Sequence, residues 1–228
     1  MRLTLEMMSG AVIFVAAVLA SAFASERGDT ARKTAPPPRP ALPPLRVIVE
    51  ASTGIRGPLV DRTLTEAAAI WRSLGVTIEW DVPDPAHASN GGPGAEEDCA
   101  VPHVAITDEV NTVPGGRTVL GWIMFTSPDA PDHVIHVSRA GASWLMATTP
   151  RVREAPLVLQ DRLIARALGR ALAHELGHYL LGPGHTARGL MQGTRPAQDF
   201  FSIERRGFDL APEQLDALTR HVKMTPPS

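Results

Sequence analysis

Leu157–Leu181 reads LVLQDRLIARALGRALAHELGHYLL, the longest helical pattern in the chain. Its apolar positions include Leu159, Leu163, Ala167, Ala171 and Leu172. They recur mostly at three- and four-residue steps, the period of one helix face. A helix with such a face must bury it, so the other elements have to pack around this one. Leu45–Ala51, Val76–Val82, His103–Thr107, Val119–Thr126 and His133–Arg139 are short, β-branched and largely alternating, and read as strands. Leu59–Leu74 has helical spacing through Leu64, Ala67, Ala68, Trp71 and Leu74, and Gly75 stops it. Pro212–Val222 is a closing helix with Pro near its first turn. Pro83–Ala100, rich in Pro, Gly, Ala and acid, is a long surface loop. The order β-α-β-β-β-β-α-loop-α predicts an α+β domain with one sheet. The helix between the first two strands fits a partly parallel sheet, and the short later connections fit antiparallel neighbours.

The N-terminal stretch stands apart from that pattern. Gly10–Ala24 is an uninterrupted run of apolar and small residues ending in Ala22-Phe23-Ala24, an A-x-A pattern. That is the layout of a secretory signal peptide, and the run is short for a membrane span. An uncleaved anchor is the alternative, and Glu6 and the weakly basic start count against the signal. Ser25–Pro44 is polar, then Pro-rich, and reads as an extended spacer. The expected organisation is therefore a signal at 1–24, a linker at 25–44 and one domain at 45–228, secreted or in the cell envelope.

Composition narrows the function. With 22 Lys+Arg against 24 Asp+Glu and 44% hydrophobic residues, the chain is neither a polybasic nucleic-acid binder nor wholly disordered. One cysteine, Cys99, excludes an intramolecular disulfide framework.

His174-Glu175-Leu176-Gly177-His178 lies inside the long helical pattern. Histidines four apart sit one turn apart on one face, so both imidazoles can reach one metal ion. Glu175 lies about 100° around the helix from His174. From there its carboxylate can hold a metal-bound water and take its proton. Imidazole ligands suit zinc. Gly182-Pro183-Gly184 breaks the helix, and Gly182 can adopt the left-handed conformation that ends one. The turn can swing His185 back as a third ligand, and Met191 follows six residues later.

His174–His185 with Met191 resembles the metzincin zinc metallopeptidases, with their H-E-x-x-H-x-x-G-x-x-H and downstream Met-turn. Gly182 and His185 each arrive one residue late, as a one-residue insertion after His178 would produce. The chain is similar to bacterial secreted proteins with matrixin-like domains. The resemblance implies a twisted mixed five-stranded sheet, an active-site helix and a small C-terminal helical subdomain. It implies zinc on His174, His178 and His185, Glu175 as general base, and Met191 as the apolar floor beneath the metal. It also implies an extended peptide or protein substrate paired with the edge strand Val119–Phe125. Residues after Met191, as far as Phe201, would shape the neighbouring pocket. The reaction implied is amide hydrolysis.

Other candidates are weaker. Glu204 could replace His185 as third ligand, as in gluzincins. His133 and His136 fall on opposite faces of one strand and read as ordinary strand residues. Cys99 reads as a free thiol or an intermolecular bridge, and Glu96-Glu97-Asp98 is slight support for calcium. The competing function is a zinc-binding recognition or assembly module with little turnover; a third is self-directed or highly selective proteolysis.

Overall fold

The computed structural model describes residues 10–17, 43–83, 101–113, 117–127 and 130–224. Most of the Pro-rich spacer lies outside the described residues, as do Cys99, the acidic Glu96–Asp98 cluster and the expected cleavage site.

The sheet is built on alternation. In β2 (Leu45–Ala51) Val47 and Val49 point into the core, and in β4 (His103–Thr107) Val104 and Ile106 do. β2 pairs in parallel with both β3 (Ile78–Asp81) and β4. Parallel neighbours need a crossover, and α1 (Gly57–Ser73) supplies the one from β2 to β3. It ends where Gly75 takes φ 87, a conformation open to glycine. β4 is parallel to β7 (Ala130–Ser138), which is antiparallel to β6 (Arg117–Ser127). The sheet is therefore mixed, in an α+β architecture.

It is wider than the five strands expected. β1 (Gly10–Ala17), β5 (Asn111–Val113) and β8 (Thr194–Pro196) join it, in the order β3-β2-β4-β7-β6-β1-β8, with β5 on β6. Three-residue strands have no period to read, and the apolar run at β1 has no alternation. A further helix, α2 (Arg139–Thr148), follows β7 directly. The expected strand ran to Arg139, but Ser138 ends it as an N-cap whose Oγ accepts from the Gly141 amide at 2.9 Å. The small residues Ala140–Ser143 gave no helical signal.

α3 (Leu157–Leu181) has the expected bounds and occupies the centre. From Ala167 to His178 every residue is buried. It packs against α1, against β6 and β7, and against α4 (Pro212–Met224). Gly169 sets the α1 contact, since a Cβ there would stand 2.6 Å from Thr63 O and from Glu66 Cβ. Trp71, fully buried on α1, donates its Nε1–H to Ala173 O at 3.1 Å. That bond joins α1 to α3 one residue before His174. Among the described residues, no helix is long and apolar enough to cross a membrane.

Candidate metal centre

α3 carries His174 and His178 on one face, and the loop after it returns His185 to them. The His178 Nε2 lies 3.0 Å from His174 Nε2 and 3.2 Å from His185 Nε2. Two nitrogens at tetrahedral positions about zinc, each about 2.0–2.1 Å from it, would stand about 3.3 Å apart. The three ring nitrogens thus have the spacing of ligands to one ion. Among the described residues this is the one cluster of three or more His, Cys, Asp or Glu side chains arranged to hold a metal.

The outer nitrogens fix the tautomers. His174 Nδ1 donates to Leu190 O at 2.7 Å, and His178 Nδ1 donates to Gly182 O at 2.9 Å. A carbonyl can only accept, so each Nδ1 carries the proton and each Nε2 presents a lone pair inward. Burial keeps the rings neutral: it pushes the His174 imidazole well down, His178 down to about 4, and His185 down as well. His174 and His178 are buried while His185 is exposed, so the cluster is reached from the His185 side.

The expected turn forms with a different backbone. Gly182 ends α3 at φ 88 and ψ −176, a positive-φ extended conformation and not the left-handed helical one. It is reserved for glycine all the same. The extra residue lies between His178 and Gly182, in the last turn of α3, which runs to Leu181. Met191 is fully buried, and any side chain at Gly177 would run into its Sδ. The thioether therefore packs on the helix beside His178. A Cβ at Gly193 would meet the His185 ring at 2.9 Å, so that glycine admits the third imidazole.

Glu175 projects from α3 toward β6. A Cβ at Gly121 would lie 2.9 Å from Glu175 Cγ and 3.3 Å from its Oε1. An isolated glycine in an apolar strand signals such a close approach, and Gly121 in VLGWIMF is legible on that ground. Both Glu175 carboxylate oxygens are buried and accept no hydrogen bond, and burial pushes the carboxyl well up. β1 lies antiparallel on β6 here, with Phe14 opposite Gly121 and Val12 opposite Ile123. In the full chain the Val119–Phe125 edge is thus occupied by the chain's own N-terminal segment.

The remaining candidates do not join the cluster. Glu204 is exposed, its side chain paired with Arg206 at 2.5 Å. His133 is exposed; His136 stacks on Trp122 with ring centroids 4.9 Å apart. What the sequence reading missed is a pair of buried arginines. Arg170, one turn before His174, donates to Glu66 Oε1 at 3.0 Å and to the carbonyls of Asp199, Ser202 and Glu204. Arg195, on β8, donates to the carbonyls of Gly189 and Gly207. In sequence each reads as one more surface cation.

No family model and no curated protein matches the chain. Among solved structures it is similar to archaemetzincin from Methanopyrus kandleri, at 18% identity and a TM-score of 0.44. That likeness covers 82% of this chain and 99% of the archaemetzincin chain.

Proposed function

We propose that this protein is a zinc-dependent endopeptidase of metzincin type, acting on extended peptides outside the cytoplasm. The observation that carries the reading is the convergence of three neutral imidazoles, each Nε2 facing the same point, with a carboxylate on the next helical position. His174, His178 and His185 would hold the metal. Zinc bound there would supply Lewis acidity toward a peptide carbonyl and toward water. Glu175 takes a proton from the attacking water and passes it to the leaving amine. Its buried, unpartnered carboxylate suits that role, because a raised proton affinity favours taking the proton. With β1 removed, β6 would supply backbone groups for an extended substrate, and the segment from Met191 to Phe201 would wall the neighbouring pocket.

Two observations favour the second reading, a zinc-binding recognition module. Glu175 is completely buried, and the β6 edge beside it is filled.

The deciding experiment pairs metal content with cleavage of a peptide library, for the wild type and Glu175→Gln. Stoichiometric zinc in both, with hydrolysis reduced about 10²–10⁴-fold in the variant, is expected for a general base. Zinc without cleavage in either protein would establish the recognition module. No zinc in either would end both readings.

A further inference from the structure

The orientation of His174 depends on a carbonyl from a distant part of the chain. Leu190 O receives its Nδ1–H, so the direction of that carbonyl decides where Nε2 points. Leu190 lies in a loop with its side chain buried in the core, and an apolar side chain anchors the residue without aiming its carbonyl. A turn closed by the Gln192 amide on Gly189 O at 3.1 Å holds the peptide locally, and further fixing comes from outside. The Leu190 amide donates to Asp209 O at 2.7 Å. Gly189, at φ 88, crosses so near that a Cβ would stand 2.6 Å from the same Asp209 oxygen. Segments 189–191 and 207–209 are therefore pressed together.

Arg195 holds both segments with one guanidinium. Its Nη2 donates to Gly189 O, the carbonyl immediately before Leu190, and to Gly207 O at 2.6 Å. The group is 2% exposed and lies 4.1 Å over the Phe208 ring. Asp199 and Asp209 supply nearby negative charge. Its Nε–H has no partner, so the guanidinium is aimed at the two carbonyls at the expense of its own full satisfaction. Both bonds leave one nitrogen whose two N–H directions are fixed in the guanidinium plane, whereas a lysine ammonium turns freely and ends a stem of different reach.

We infer that Arg195 is a positioning residue for the metal site: it locks the Gly189–Leu190 peptide so that the Leu190 carbonyl holds His174 with Nε2 turned to the metal. This rests on the reading of the histidine cluster as a metal centre. Arg170 provides the contrast. It is equally buried and also binds carbonyls, but those of Asp199, Ser202 and Glu204, none of which adjoins Leu190 or Gly182, whose carbonyls accept from His174 and His178.

The test compares the full-length wild type with Arg195→Lys and Arg170→Lys. Three quantities are read: zinc affinity by chelator competition, the visible absorption of the cobalt-substituted protein, and the melting of the metal-free protein. Arg195→Lys is expected to weaken zinc binding about tenfold, the lower end of the cost of losing a ligand's direct outer partner, since the Leu190 carbonyl remains but is less well held, and to shift the cobalt bands. Arg170→Lys is expected to lower the melting temperature with zinc affinity and cobalt spectrum unchanged. If both variants weaken zinc equally, or if Arg195→Lys lowers only the melting temperature, Arg195 is a structural residue and the inference fails while the metal centre stands. A wild type that binds no zinc removes the metal centre itself. Should the Arg195 variant not fold, Phe208→Leu withdraws the ring that lies under Arg195 at 4.1 Å and under Arg170 at 4.8 Å, leaves both carbonyls in reach, and is read against Arg170→Lys as the control for the shared part. Severalfold weaker zinc binding is expected there, and unchanged affinity overturns the inference.

Discussion

His178 and His185 are separated by a helix end and a glycine-proline turn, yet their Nε2 atoms stand 3.2 Å apart. His185 is the exposed member, so it is the ligand whose loss disturbs packing least. His185→Ala should therefore fold normally. Its zinc affinity should fall by more than the roughly 10–100-fold that an outer-shell partner is worth. Chelator competition beside a thermal melt checks both halves. Unchanged affinity would mean that another residue completes the site, with Glu204 next to test. Glycine acts at the same scale by being small. Gly121 leaves room for Glu175, Gly177 for Met191 and Gly193 for the His185 ring.

Among the elements, α3 bears most of the design. It is buried on nearly every side, so its neighbours rather than its own periodicity decide where its histidines lie. α1 is the chief of these, and the two approach closely because Gly169 has no side chain. Gly169→Ala should cost about 1–3 kcal/mol, as overpacking of a tight interface does. Gly184→Ala, with nothing near its would-be Cβ, should stay within about 0.5 kcal/mol of wild type. Denaturant unfolding of the metal-free proteins measures both; equal stabilities would show that the α1–α3 contact yields. The same interface holds Glu66, which pairs with Arg170 at 3.0 Å and Arg205 at 2.7 Å. Removing a buried carboxylate partner from an arginine that is 0% exposed typically costs about 3–5 kcal/mol.

For the molecule as a whole, the N-terminal strand matters most. β1 sits between β6 and β8, and it takes the backbone groups of β6 that an extended peptide would need. A tethered strand competes at an effective concentration near the millimolar range. A protein starting at Ser25 should therefore cleave a micromolar peptide about tenfold faster, or more, than the full chain. Side-by-side kinetics at equal zinc occupancy would decide it, and equal rates would mean that β1 does not obstruct the cleft.

The sequence by itself determined the local terms. Alternation located β2, β3, β4, β6 and β7, helical period gave α3 its bounds, and the spacing of His174, Glu175 and His178 put two imidazoles and a carboxylate on adjoining positions of one helix. These follow from backbone periods of two and 3.6, which act within a few residues. The breadth of the sheet, the capping of α2 by Ser138 and the identity of Glu175 as the group that Gly121 admits were decided only in three dimensions. So were the two buried arginines, which are indistinguishable in sequence from solvated ones. Arg170 meets Glu66 from 104 residues away, and His174 is oriented by a carbonyl 16 residues on. A hydrogen bond or a close contact across such separations depends on where two distant backbones come to lie, and no local period encodes that.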